Sequence, residues 1–249
     1  MIKKIWIITM FPEFFEPLKT AGVVGQALDG KRGPAFELNT VLLRDFHPKG
    51  HNGVDDTPYG GGAGMVLRAD VLKNALIEGI VDKGSYGDNW REKLHIIAPG
   101  PRGKKWNFNE AYKFSQEKLI NTNKDIVFIC GRYEGIDERF IESYIDEHIS
   151  LGDFILSGGE IAVMAVLDSA MRFVPGVLKN SDSALEESFG SELLEFPHYT
   201  RPQVFEDMKV PEVLTSGHHE KIKKYRKEKR IEMTKKYRPD LLNDKKEES

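Results

Sequence analysis

Cysteine is all but missing from this chain. The 249 residues contain one, Cys130, which excludes an intrachain disulfide and a cysteine-rich zinc site. A reduced, cytosolic compartment is the expectation that follows. Long hydrophobic runs are missing too. The best candidate, Ile161 to Val174, is broken by Asp168, Ser169 and Arg172, short of the ~18 apolar residues that a membrane span needs. Met1-Ile2-Lys3-Lys4 leads straight into a strand-like run, without the apolar stretch and small-residue cleavage site of a secretory leader, and none is expected. No internal repeat or low-complexity tract is visible apart from the polar tail Asn243 to Ser249, which is expected to fray. What is present suffices for a sizeable core: 40% of residues are hydrophobic and 10% aromatic, so wholesale disorder is excluded. The length suits one large domain, or a medium domain with a small companion.

Charge is unevenly spread. The chain has 36 basic and 39 acidic residues; residues 221 to 238 hold ten of the basic and two of the acidic ones, leaving 26 against 37 elsewhere. Such a block is either a solvated helix face or a surface for a polyanion. Tyr225 and Tyr237 lie within it, as rings that could stack on bases or turn to a core. On the polyanion reading Lys223, Lys224, Lys227 and Arg230 meet the phosphates.

Short β-branched runs alternate with helical patterns. Residues 4–9, 36–43, 94–98 and 125–130 read as strands apolar on both faces, as parallel strands covered by helices are. Helices are expected over 12–19, 70–80, 108–119 and 137–145, the third opening on a capping box, Asn107-x-x-Glu110. A longer one, residues 159–173, is apolar on nearly every side and should be buried, in its own domain or against a second copy. The alternation predicts an α/β fold. Residues 179 to 190 lose the strand pattern and read as a linker, and four prolines punctuate the basic segment beyond it.

Glycines gather at strand ends. Tyr59-Gly60-Gly61-Gly62-Ala63-Gly64 follows Val54-Asp55-Asp56-Thr57-Pro58 and matches neither the dinucleotide fingerprint nor a phosphate loop. Three others form a set: Pro99-Gly100-Pro101-Arg102-Gly103, Gly131-Arg132-Tyr133-Glu134-Gly135-Ile136-Asp137, and Ser150 to Glu160 (SLGDFILSGGE) after a short strand near 147–149. Any one could simply turn the chain. Three at the carboxyl ends of parallel strands could line one pocket, where small residues admit a ligand and Leu151, Ile155 and Leu156 wall a flat ring. A nucleoside-containing cofactor fits that description.

CGRYEGID (130–137), LGDFILSGGE (151–160), FPHYTRP (196–202), VDDTPYGGGAGM (54–65) and SGHHEKI (216–222) resemble bacterial tRNA (guanine-N1)-methyltransferase, of the knotted SPOUT superfamily, in order from the first strand to about Leu242. The resemblance implies a trefoil knot at the cofactor site, a homodimer with active sites shared between chains, and methylation of the guanine just 3′ of the anticodon. It implies a methyltransferase domain over 1–178, a linker over 179–194 carrying the catalytic base, and a basic helical tRNA-binding domain over 195–249. S-adenosylmethionine would be held by Pro99, Gly131, Tyr133, Glu134, Leu151, Gly152, Asp153, Phe154, Ile155, Leu156, Gly158 and Gly159.

Guanine N1 carries a proton at neutral pH, and its removal throws charge onto O6, so a general base and a cation are needed. The resemblance assigns these to Glu187, where the family has Asp, and to Arg172; adjacent Glu186 competes for the first role. It links Glu134 and Glu195 to Mg2+, and Asp56 and Ser183 to tRNA. Adjacent His218 and His219 suit phosphate contact or helix capping better than a metal. Cys130, ending an apolar strand, is expected as core filler. Two rival readings stay open: a related RNA methyltransferase with another target base, and a non-catalytic RNA-binding module that kept the pocket loops.

Overall fold

The computed structural model describes residues 2–48, 53–179, 188–190 and 192–243. The chain divides into two compact units, residues 1–181 and 182–249. In the first, β1 (Lys3–Thr9) and β2 (Phe36–Leu42) are followed by a small hairpin of β3 (Asp55–Asp56) and β4 (Val66–Leu67), then by β5 (Leu94–Lys105), β6 (Asp125–Ile129) and β7 (Glu147–Ser150). The large sheet has the order β2-β1-β6-β5-β7, and every neighbouring pair is parallel. Side chains alternate across a strand, and here both faces are apolar. Ile5 and Ile7 of β1 share one core with Ile126 and Phe128 of β6. Trp6 and Ile8 share the other with Val127, Ile129 and Ile96.

Helices cover both faces. α1 (Glu16–Thr20), α2 (Gly22–Leu28), α5 (Phe108–Phe114) and α7 (Glu160–Met171) pack on the first core, while α3 (Ala69–Leu76) and α6 (Glu138–Tyr144) pack on the second; α4 (Trp90–Lys93) precedes β5. Several helices depart from the expected form. The 12–19 segment is a 3-10 turn, Pro12–Phe15, followed by α1. α3 and α5 each widen into a π-helical turn, over Ile77–Asp82 and Ser115–Ile120. At Gly79, in the first of these turns, a Cβ would come within 2.7 Å of Val41 and 2.8 Å of Phe46. The capping box is half made. Asn107 accepts the Glu110 amide at 3.0 Å, but the Glu110 carboxylate pairs with Lys104 at 2.5 Å instead of reaching back. α2 escapes prediction because Gly22, Gly25 and two valines are poor helix formers. Packing selects it: a Cβ on Gly25 would sit 2.9 Å from the carbonyl of Lys19.

α7 buries Val163, Val166, Leu167, Ala170 and Met171, but Ile161, Ala165 and Asp168 form an exposed stripe. At the amino end of the sheet the ammonium of Lys3 donates to the carbonyls of Lys118, Thr122 and Lys124 at 2.7–3.0 Å. Beside it Trp6 donates to Tyr86, whose hydroxyl donates to Asp125 at 2.5 Å. Burial, then Asp125, pushes the Tyr86 phenol well above its ordinary value. This end of the sheet is bound up in internal bonds.

β5 runs past its expected end at Ala98. Pro99 and Lys104 both face Ile149 on β7, so the residues between them loop out as a bulge, which accommodates prolines that cannot donate to a ladder. In the second unit the Val204–Phe205 and Met208–Lys209 strands pair antiparallel, and the helix His219–Tyr237 is followed by Asp240–Asn243. Thr234 is fully buried on the long helix; its hydroxyl accepts the Leu194 amide at 2.9 Å and donates to the Arg230 carbonyl at 2.7 Å.

The bulge gives a clean test. A Cβ on Gly103 would overlap the backbone of Ile149, whereas one on Gly100 meets nothing within 4 Å. Gly103→Ala is therefore expected to lower stability by about 1–3 kcal/mol in denaturant unfolding, with Gly100→Ala near wild type. Equal midpoints for the two variants would mean that the bulge yields freely.

Candidate functional site

Three neighbouring strands, β6, β5 and β7, end side by side, and their loops enclose a cavity of about 440 Å3. Pro99, Gly100 and Pro101 come from the β5 bulge, residues 131–135 follow β6, Ile149 and Ser150 end β7, residues 151–152 and 154–159 follow it, and Ala162 of α7 completes the lining. The volume suits a small organic ligand. All the residues expected to hold the cofactor lie in this lining except Asp153, whose carboxylate pairs with Lys105. The rim is apolar: Phe154 and Tyr133 are about half exposed and Ile155 is 88% exposed.

Close backbone approach explains the glycines. The Gly159 amide donates to the Gly131 carbonyl at 3.0 Å. A Cβ on Gly159 would lie 2.9 Å from the Cα of Cys130, and one on Gly158 would overlap the Arg132 side chain. Tyr133 has φ of 58°, the left-handed region, which costs a non-glycine residue on the order of 1 kcal/mol and marks a loop held by its surroundings.

What holds it is a charged network that motif reading did not assign. Glu160, the first residue of α7, is 1% exposed. Its carboxylate accepts the Thr9 hydroxyl at 2.8 Å and meets the Arg132 guanidinium at 2.9 Å and 3.3 Å. Arg132 also donates to the Ser157 carbonyl at 3.1 Å and lies over the rings of Phe11, at 4.4 Å, and Phe14, at 5.7 Å. Thr9 accepts the Phe11 amide at 3.0 Å. The ends of β1 and β6 and the start of α7 are thus tied at one carboxylate. Arg132 and Glu160 stand inside the glycine motifs, but their pairing across 28 residues has no sequence signal. Burial, and then the charge of Glu160, pushes the Cys130 thiol well above its ordinary value, which keeps it unreactive as core filler.

The β3–β4 hairpin is fastened to the same loop. Glu134 N donates to Met65 O, Leu67 N to Gly135 O and Asp137 N to Leu67 O, at 2.9–3.0 Å. Glu134 packs so closely on Gly64 that a Cβ there would overlap its carboxylate. Asp56 is exposed, and its carboxylate accepts the Thr57 amide at 2.7 Å.

Other expected site residues fall elsewhere. Arg172 follows α7 at its carboxyl end and is partly exposed. Glu186, Glu187 and Ser183 lie outside the described residues. Among residues of the second unit, Glu195 lies 3.6 Å from His198, and Lys223, Lys224 and Lys227 are exposed. Arg230 is partly buried and donates to the carbonyls of Leu194 and Leu193, so it supports its own fold. His218 stands at the N-cap of the long helix without a side-chain capping bond. That removes the capping alternative for His218, whose own amide donates to the Ser216 hydroxyl at 3.2 Å.

A parallel α/β sheet with a ligand-sized cavity at its carboxyl ends, joined to a basic helical unit, defines an α/β protein with a small-molecule site. A family model described as tRNA (Guanine-1)-methyltransferase TrmD matches residues 3–244, and the chain belongs to that family of methyltransferases. Curated relatives called tRNA (guanine-N(1)-)-methyltransferase include those of Lactobacillus johnsonii, 45% identical over 97% of this chain and 91% of the relative, and Clostridium botulinum, 46% identical over 96% and 91%. That of Buchnera aphidicola is 43% identical over 97% and 86%.

Removing one partner of a buried ion pair leaves an uncompensated charge. Glu160→Ala is expected to lower unfolding free energy by on the order of 3 kcal/mol, and Glu160→Gln, which keeps the Thr9 bond, by less. A loss under about 1 kcal/mol for the alanine variant would mean that solvent screens the pair.

Proposed function

We infer that the protein transfers the methyl group of S-adenosylmethionine to N1 of a guanine in tRNA, the one next to the anticodon (position 37), in the cytoplasm. The observation that carries this is the cavity at the ends of β5, β6 and β7, whose glycine backbone, half-exposed rings and apolar rim suit a nucleoside with a flexible tail. When bound, S-adenosylmethionine supplies an electrophilic methyl group on a sulfonium sulfur. Leu151, Leu156 and Ile155 would wall its ring, and Gly131, Gly158 and Gly159 would let it approach the backbone. The trefoil knot that the family resemblance implies would lie where Gly159 meets Cys130 and Gly131.

The chain's own work is on the guanine. The carboxylate of Glu187 takes the N1 proton, and the guanidinium of Arg172 meets the negative charge that spreads to O6, so the lone pair of N1 is free to attack. Arg172 caps the far end of α7, twelve residues beyond Glu160, or about 18 Å along the axis at 1.5 Å per residue. The cavity is at the Glu160 end. One chain's Arg172 therefore suits a second chain's pocket, and this separation, with the exposed Ile161 stripe, supports a homodimer with shared sites. Magnesium fits more loosely. Among the described residues no three His, Cys, Asp or Glu side chains converge as a shell, so an ion at Glu134, with or without Glu195, would draw most ligands from water or substrate, as Mg2+ commonly does.

The shared site is tested by mixing. Gly152 has φ of 150°, and a Cβ there would lie 2.9 Å from the Phe154 ring, so Gly152→Val is expected to lose cofactor binding in calorimetry. Arg172→Ala should keep binding but slow single-turnover methylation by ~10²-fold or more. Heterodimers of the two variants regain one intact site and therefore activity; no rescue in verified heterodimers would put both elements in one chain's site. Glu187→Gln should resemble Arg172→Ala, while loss with Glu186→Gln alone would move the base by one residue.

The exposed lysines give a separate measurement. Replacing Lys223, Lys224 and Lys227 with Gln should weaken tRNA binding and make log affinity against log salt shallower by roughly 0.7–0.9 per lost phosphate contact. The methylated guanine should stay the same, since phosphate contacts position without specifying. An unchanged slope would reduce the run to a solvated helix face.

A further inference from the structure

The hairpin between β3 and β4 carries a feature that neither the fold nor the methyl-transfer chemistry uses. Tyr59, at its tip, is 99% exposed. An aromatic ring contributes most to stability by burial, so here it contributes little. The tip is nonetheless well founded. Three backbone hydrogen bonds fasten the end of the hairpin to the Arg132–Asp137 segment, and Gly64 lies against the Glu134 carboxylate in the cavity lining. The ring is therefore carried on a short arm rooted at the pocket.

The residues next to it leave it bare. Gly60, Gly61 and Gly62 have φ of 85°, 80° and 124°, and a Cβ on Gly60 or Gly61 would meet nothing within 4 Å. Residues with a side chain would be strained in that backbone. A flat, unencumbered ring on an arm rooted at the pocket is what an unpaired base stacks on. The reaction supplies such a base. A guanine whose N1 must meet a methyl donor held inside a cavity has to swing out of its stack to enter, and its neighbour in the strand then has an uncovered face.

We propose that Tyr59 is a substrate-binding residue that stacks on an unpaired tRNA base flanking the target guanine. The proposal rests on the tRNA methylation reading above and adds a contact to it. A ring in this role contributes to holding RNA and nothing to holding the cofactor or the fold. The hydroxyl is dispensable, since stacking uses the π face.

The test uses the full-length protein with Tyr59→Ala, Tyr59→Leu and Tyr59→Phe, and tRNA with an abasic nucleotide on one or the other side of the target guanine. Tyr59→Ala and Tyr59→Leu are expected to weaken tRNA affinity about 10-fold, the scale of one base–aromatic stack, while Tyr59→Phe stays near wild type. Thermal midpoint and S-adenosylmethionine affinity should be unchanged in all three. On one of the two abasic substrates the penalty of the alanine variant should vanish, a coupling that a double-mutant cycle reads directly. Wild-type tRNA affinity in Tyr59→Ala would overturn the proposal, as would a Phe variant as weak as Ala, which would indicate a hydroxyl contact. A fall in thermal midpoint or cofactor binding would make the ring structural. A wild-type protein that leaves tRNA guanine unmethylated would instead remove the functional reading itself.

Discussion

One buried carboxylate holds the pocket together. Glu160 opens α7, accepts from Thr9 at the end of β1, and pairs with Arg132 just past β6. Charges taken out of water are costly unless each is fully partnered, and here every partner belongs to a different segment. The network therefore admits one arrangement of those segments, and the glycine loops take their places from it. Tyr133, in the left-handed region one residue beyond Arg132, and Gly159, donating to Gly131, both follow from that anchoring. Phe11 and Phe14 stack on the guanidinium and shield it from solvent. Stability and site geometry are supplied by the same contacts.

The sheet decides where such a pocket can be. Its strands are parallel, so all the loops that leave their carboxyl ends emerge on one side. The amino side is closed by Lys3, Trp6, Tyr86 and Asp125, whose polar groups are spent on one another and on carbonyls. The carboxyl side keeps glycines, a bulge and half-exposed rings. α7 then sets a length scale. Its amino end borders the cavity while Arg172 lies beyond its far end, and a straight helix cannot bring the two together.

Much of this was legible in the residues. Apolar strands such as Lys3–Thr9 and Asp125–Ile129 gave the parallel sheet, because only strands covered on both faces can be apolar on both. The three glycine loops were readable as one pocket for the same topological reason, and family motifs added the chemistry. Less was legible in the helices. α2 is built of poor helix formers and is selected by its packing against Lys19, and the π-helical turns after α3 and α5 leave no mark in the periodicity. Pro99 to Gly103 read as a loop after a strand, although β5 resumes beyond it at Lys104, because pairing with β7 is a property of the partner strand.

The sequence by itself determined the α/β alternation, the apolar content of both sheet faces, the basic character of the long helix His219–Tyr237 and the family. These are local or compositional properties, carried by a residue and its near neighbours. Only the tertiary structure decided that Arg132 meets Glu160, that Asp153 turns to Lys105 out of the cavity lining, and that Arg230 is bound up in the carbonyls of Leu193 and Leu194. It alone left Tyr59 bare at the end of a rooted arm. Such facts depend on which distant segments become neighbours, and that is settled by the packing and charge balance of the whole fold, for which no single stretch of sequence carries a signal.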